Sequence, residues 1–212
     1  NNPLKQQTDY KRGQGAIYAL STGNLNFVTL RDAFMSARTL KQMDDMDLIL
    51  TISTPCTQAA AGRIDNIPVV FATVANPFVI DVGVSDTEHK ENMTGVYGWV
   101  PMDKTLEYVR SIKPGKITIG AIWDPAFANA VFNVENLKKA VDEEEGVEFK
   151  GVTITSSTEV YQAAVSLCNK DVDYIILPPD NIVYAAFESV VKAAMPKGIP
   201  ITLSDIDRIE AG

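Results

Sequence analysis

The stretch Asp47 to Gln58, DLILTISTPCTQ, decides how this chain is read. Leu48, Ile49, Leu50 and Ile52 form a short branched apolar run, the pattern of a strand buried on both faces, and Ser53-Thr54-Pro55 stops it. A helix is expected at that stop. The Thr54 hydroxyl can cap a free backbone N–H, Pro55 suits the first helical position, and Gln58-Ala59-Ala60-Ala61 continues with strong helix formers. A strand that runs into a helix N-terminus at the carboxyl edge of a sheet can hold an anionic group without any catalytic residue.

The pattern recurs. Asp173-Tyr174-Ile175-Ile176-Leu177 is again an aspartate followed by a buried-strand run, broken by Pro178-Pro179-Asp180-Asn181, with a helix expected over Ile182 to Ala194. Thr54 and Asp180 each lie seven positions after their aspartate. Each unit is followed by an Ile-Pro strand, Ile67-Pro68-Val69-Val70-Phe71 in the first and Ile199-Pro200-Ile201-Thr202-Leu203 in the second, ending at Ala75-Asn76-Pro77 and Ser204-Asp205. Two similar α/β lobes are therefore expected, 1–98 and 99–212, each presenting strand-end loops to a shared cleft.

Composition narrows the functions available. The 212 residues carry 19 Lys and Arg against 27 Asp and Glu, a formal charge of −8, which argues against nucleic acid or an anionic membrane as partner. Such a chain can bury roughly 70% of its unfolded surface without staples. No run approaches the roughly 18 apolar residues of a membrane-spanning helix, and Asn1-Asn2-Pro3-Leu4-Lys5 is not a signal segment. Cys56 and Cys168 set neither a disulfide framework nor a metal cluster, and no cofactor is implied. Cys56 falls in the first turn of the first helix, where a thiol could be activated, yet the one histidine, His89, lies in a polar loop, so a packed residue is expected.

Between these landmarks, residues 1–15 read as a loose entry, Gly15 to Leu20 as a short strand, and Val28 to Met46 as a helix with Leu30, Phe34, Ala37 and Leu40 inward. The signal is weak from Phe78 to Glu91. Met102 to Ile112 is an amphipathic helix stopped by Lys113-Pro114-Gly115, and Lys116 to Trp123 a strand. Asp124-Pro125 repeats the cap-then-proline signature before a helix over Ala126 to Glu145. Val147 to Thr155 alternates as an edge strand does, and Ser156-Ser157-Thr158-Glu159 fits a capping box before a helix to about Asn169.

The strand-end loops thus combine helix N-termini, which favour anions, with carboxylates, which favour cations. A zwitterion suits both. An α-amino acid would set its carboxylate on Thr54 and neighbouring N–H groups and its ammonium toward Asp180 or Asp205, with Trp123, Phe127 or Tyr184 as an apolar wall. Asp124 and Asp180 read equally as helix caps, Trp123 as a structural aromatic, and Asn76 as a turn residue.

With these loops in view, the chain resembles the ABC-transporter substrate-binding family that includes tryptophan- and tyrosine-type uptake proteins, a branch of the type I periplasmic-binding fold. The resemblance is carried by DLILTISTPCTQAAA at 47–61, IPVVFATVANP at 67–77, NMTGV at 92–96, IGAIWDPAFANAV at 119–131, SSTEVYQAA at 156–164, VDYIILPPDN at 172–181 and IPITLSD at 199–205. It implies an α/β fold of two Rossmann-like lobes, parallel sheets flanked by helices and a ligand cleft between them. The implied ligand contacts are Thr54, Pro55, Asn76, Asn129, Asp180, Asn181 and Asp205, joined by Trp123 from the residue reading. It also implies a protein at the periplasmic or extracellular face of the cytoplasmic membrane, often lipid-anchored, that binds a small molecule, such as an aromatic or branched amino acid, between its two lobes and passes it to a permease. There are departures: Phe127-Ala128-Asn129-Ala130 stands where the family usually has Glu-Ala-Asn-Ser, and Asn76-Pro77 where it has Asp-Pro. Residues 1–46 match poorly, and the family runs on past Gly212, which implies either an incomplete record of a longer protein or a shortened member. The alternatives are a ligand-sensing domain of the same fold coupled to a signalling partner, and a small α/β enzyme using the Asp180 and Asp205 carboxylates.

Overall fold

The computed structural model describes residues 17–21 and 47–204. The expected entry segment, the helix expected over Val28 to Met46, and Asp205 lie outside the described residues. The chain divides into two compact units, Asn1–Trp99 and Val100–Gly212.

The first unit is built on a parallel sheet of β1 (Ile17–Ser21), β2 (Leu48–Ile52), β3 (Val69–Val74) and β4 (Met93–Tyr97), paired in that order. Helix α1 (Thr54–Ala61) joins β2 to β3. The pleat sends Ile49 and Thr51 to a fully buried face with Val69, Phe71 and Met93, while Leu48, Leu50 and Ile52 are half-buried. The expected burial of β2 is therefore complete on one face only. Small residues allow α1 to settle closely: Cys56, Ala59 and Ala60 are buried along with Ile64 just beyond it. Gly95 is required by the pairing of β3 and β4, because a Cβ there would stand 2.1 Å from the Phe71 carbonyl oxygen.

The second unit is a three-layer sandwich. Its parallel sheet has the order β6 (Val147–Thr153), β5 (Ile117–Trp123), β7 (Tyr174–Ile176), β8 (Ile201–Thr202), so β6 does occupy an edge. One face carries α2 (Met102–Ile112) and α3 (Ala128–Asp142) over a core of Met102, Leu106, Val109, Ile119, Leu137 and Ile176. The other carries α4 (Val160–Cys168), α5 (Asn181–Ala185) and α6 (Phe187–Ala194) over Ile122, Ile154, Leu167, Ile175, Leu177 and Val190. This is the expected α/β architecture, with parallel strands flanked by helices. Asp173 secures the start of β5: it accepts from Thr118 N at 2.8 Å and from Lys113 Nζ at 2.6 Å, contacts that hold its carboxyl below the usual range.

Three local readings change. The helix expected over Ile182 to Ala194 breaks at Ala186 (φ −112°, ψ 24°) into α5 and α6. The helix expected from Ala126 begins at Ala128, because Asp124 Oδ1 closes a turn by accepting from Ala126 N at 2.8 Å instead of capping it. The capping box is displaced by one residue: Glu159 Oε2 accepts from Thr155 N at 2.8 Å, and Ser156 Oγ pairs with Thr158 Oγ1 at 2.9 Å.

Candidate functional site

Parallel strands place all their carboxyl ends on one edge of a sheet, and in each unit that edge gathers the polar residues. In the first unit it is reached through Ser53, Ala75-Asn76 and the end of β4. Ser53, not Thr54, is the residue before α1, and it holds φ at 85°, a left-handed value that L residues rarely adopt. Thr54 is buried and its Oγ1 accepts from Ala75 N at 3.2 Å, so the hydroxyl ties α1 to the end of β3 instead of capping the helix. Pro55 is buried in the first turn of α1, which has no acidic residue there. Asn76 is half-buried, and its Oδ1 accepts from Phe78 N at 2.9 Å, opening the single 3₁₀ turn Pro77–Val79.

In the second unit Asp180, Asn181 and Asn129 come together. Asp180 is 1% exposed; Oδ1 accepts from Ile182 N at 2.8 Å and Val183 N at 2.9 Å, and Oδ2 from Asp124 N at 2.7 Å. It therefore caps α5 and ties that helix to the end of β5, as Thr54 ties α1 to the end of β3. Burial pushes its carboxyl up to about 6, with the Asp124 charge adding to the rise and the three N–H donors opposing it. Asn129, on the first turn of α3, donates Nδ2 to Pro179 O at 2.8 Å and, at 3.4 Å, to Asn181 Oδ1. Its Oδ1 is buried without a hydrogen-bond partner, as is that of Asn133 one turn on, whose Nδ2 donates to Asn129 O at 2.8 Å. Tyr184 Oη accepts from Ser204 N at 3.3 Å and fixes the exit of β8, next to Asp205, which lies outside the described residues.

Trp123 ends β5, directly before Asp124. Its ring lies 6.3 Å from that of Phe149, Lys138 Nζ stands 5.1 Å above it, and a Cβ on Gly151 would meet it at 2.6 Å. It packs across β5 and β6. Phe127 is buried. The exposed aromatic surface of the first unit is instead a ring series unforeseen in the sequence: Phe78 edge-on to Tyr97 at 5.4 Å, and Tyr97 stacked on Trp99 at 6.1 Å. The available signal was the alternation Tyr97-Gly98-Trp99 directly after a strand. Asn133 and Ser53 were also missed, the one for want of any motif, the other because its backbone conformation is unusual for serine.

Cys56 is 1% exposed and burial raises its thiol to about 11, so it is not an activated nucleophile. Cys168 is a buried core residue of α4, as expected. Among the described residues no cluster of His, Cys, Asp or Glu fits a metal ion, and no helix is long and apolar enough to cross a membrane.

In each unit polar groups collect at the carboxyl edge of a parallel sheet, the edge at which open α/β sheets take ligands. Comparison with known proteins makes this specific: the family model described as ABC transporter substrate binding protein matches residues 5–212, and the chain belongs to that family. It is 32% identical over 171 residues to a tyrosine-binding protein of Clostridioides difficile, covering 80% of this chain and 48% of that protein. A conserved domain protein from Vibrio cholerae superposes with a TM-score of 0.79 at 27% identity, covering 87% of this chain and 61% of the other. An ABC domain from Streptococcus pneumonia, solved in complex with L-Trp, superposes with a TM-score of 0.80 at 24% identity over the same shares, which supports the fold. The chain thus spans about half the length of the curated relative it matches.

Proposed function

We propose that this chain is the solute-binding component of an ABC importer, that it takes an α-amino acid at its strand-end loops, and that it delivers the molecule unchanged to a permease outside the cytoplasm. Family membership across residues 5–212 supports the class, and the relative named for tyrosine supports an amino acid.

The observation that carries the ligand chemistry is Asn129. Its Oδ1 is an acceptor on a side chain 7% exposed, without a partner, at the carboxyl edge beside Pro179 and Asn181. A buried acceptor of this kind is costly unless a donor meets it, and an ammonium group is such a donor. Thr54, Pro55 and Asn76 are proposed ligand contacts of the first unit in their own right, since the N-terminus of α1 and its dipole suit an anionic group. Asp180 then acts mainly by position, its two oxygens being occupied by three backbone N–H groups. Asp205 remains a proposed partner of the ammonium. Trp123 is given a packing role. No chemistry is required of any of these groups, because binding and release by movement of rigid parts suffices for transport.

The test is a thermal-shift screen of protein stripped by unfolding and refolding, against amino acids, purines, sugars and organic acids. A true ligand at 100 times its dissociation constant adds about 2.7 kcal/mol. A shift with an amino acid, recovered chemically intact after incubation, supports the reading; conversion of the molecule would make the protein an enzyme and overturn it.

A further inference from the structure

Helix α3 turns a single stripe inward: Asn129, Asn133, Leu137 and Val141 recur every four residues, with Ala130, Val134 and Ala140 beside them, and all seven are buried. Such a stripe is expected to be apolar throughout. Its later turns are, since Leu137 and Val141 join the core of Met102, Leu106 and Ile119. Position 133 breaks the pattern. Asn133 is 0% exposed, and its helix neighbours Ala130, Val134 and Leu137 are buried apolar residues, so a leucine would complete the core there.

Asparagine is a poor choice for a helix interior, and this one is only half satisfied. Nδ2 donates to Asn129 O at 2.8 Å, while Oδ1 has no hydrogen-bond partner. A buried acceptor left unmet costs stability, and an apolar side chain of similar shape avoids that cost. The bond that is made runs four residues back, to the residue that bears the other orphaned amide oxygen among the described residues. A side-chain bond to such a carbonyl competes with the helix ladder and bends the turn it reaches. That turn carries Asn129, whose Nδ2 is spent on Pro179 O at 2.8 Å and whose Oδ1 meets no protein donor.

We propose that Asn133 is a positioning residue of the solute site. Through Asn129 O it holds the first turn of α3 and thereby fixes the Asn129 amide, whose oxygen is the one assigned to a donor of the solute; the unmet Oδ1 of Asn133 is the stability given up for that hold. This rests on the Asn129 reading above and goes beyond it, because it gives a role to a fully buried residue that acts only through another. Leu137 and Val141 support it: where the same stripe has only to pack, it is filled by apolar side chains.

Asn133→Leu separates positioning from packing. Urea denaturation should place the variant at or above the stability of the natural protein, whereas calorimetry of stripped protein with L-tyrosine should show about tenfold weaker binding, within the range of coupling between residues in direct contact. In an Asn129→Ala background the same change should weaken binding by less than about twofold, because the residue it acts through is gone. Another solute that saturates the natural protein takes the place of L-tyrosine if the screen identifies one. Unchanged affinity in Asn133→Leu would overturn the proposal, as would equal weakening in both backgrounds, or a loss of stability alongside the loss of affinity. A readout on natural protein decides the matter should the leucine variant not fold. The assigned side-chain amide signals of Asn129 and Asn133 should both shift saturably as solute is added, and an Asn133 signal that stays fixed while that of Asn129 moves would overturn the proposal. Failure of every solute in the panel to bind natural protein would overturn the solute-binding reading itself, and this proposal with it.

Discussion

Replacing Asp180 with asparagine separates two opposing effects of one buried carboxylate. Oδ1 of Asp180 caps α5 through Ile182 N and Val183 N, and an amide oxygen in its place can keep both bonds. The amide nitrogen cannot accept from Asp124 N, so that bond, 2.7 Å long, is lost at a cost of about 1–3 kcal/mol. Against this, the substitution removes a charge that burial disfavours. The Asp180 carboxyl stands at about 6 against an ordinary 3.8, a rise of about two units, and at 1.36 kcal/mol per unit the linked free energy is on the order of 3 kcal/mol. The sign follows from the raised value. The contribution is fully present below pH 3.8, where both states are protonated, and is lost as pH rises through about 6. Natural protein should therefore lose stability relative to Asp180→Asn between pH 4 and pH 7, by about 2–3 kcal/mol in the difference. At pH 7 the asparagine variant should be near neutral, and at pH 4 clearly the weaker of the two. Urea denaturation of both proteins at intervals across this range measures the difference directly, other carboxylates cancelling between them. Stability differences that stay constant with pH would refute the assignment of a buried, proton-linked Asp180.

Other consequences follow from single contacts. Thr54→Val should cost about 1–2 kcal/mol by stranding Ala75 N, with Thr54→Ser retaining most of the stability; equal loss in both by denaturation would deny the hydroxyl its role. Gly95→Ala should cost about 1–3 kcal/mol, because the new Cβ meets backbone oxygen at 2.1 Å and the pairing of β3 with β4 must shift; an unchanged melting temperature would contradict that register. Cys56, with its thiol at about 11 and its side chain buried, should react with a thiol reagent at pH 8 only as fast as the protein unfolds, and rapid labelling of folded protein would place it elsewhere.

Much of the fold could be read from the sequence because strong local signals agree with it. The run Leu48 to Ile52 followed by Pro55 gives β2 and α1, and Tyr174 to Ile176 followed by Pro178-Pro179 gives β7 and the helices after it. The repeated unit is real in both sheets: β2 pairs in parallel with β3, and β7 with β8. The details of the edge were less legible, since they depend on tertiary partners. Thr54 looked like a helix cap but bonds to Ala75, 21 residues away, and Asp180 joins its own helix to Asp124, 56 residues away. Trp123 stands at a strand end in the sequence, and Gly151 on the neighbouring strand provides a recess into which it packs. The aromatic series escaped notice because Phe78 lies in a stretch without periodicity and meets Tyr97 only once β3 and β4 are paired.

Calorimetric titration of the stripped protein with L-tyrosine, followed by recovery of the amino acid, tests the central claim most directly. A saturable single-site isotherm with the molecule returned unchanged is the predicted result. Absence of heat from a cooperatively folded chain, across tyrosine and the other amino acids, would contradict the account.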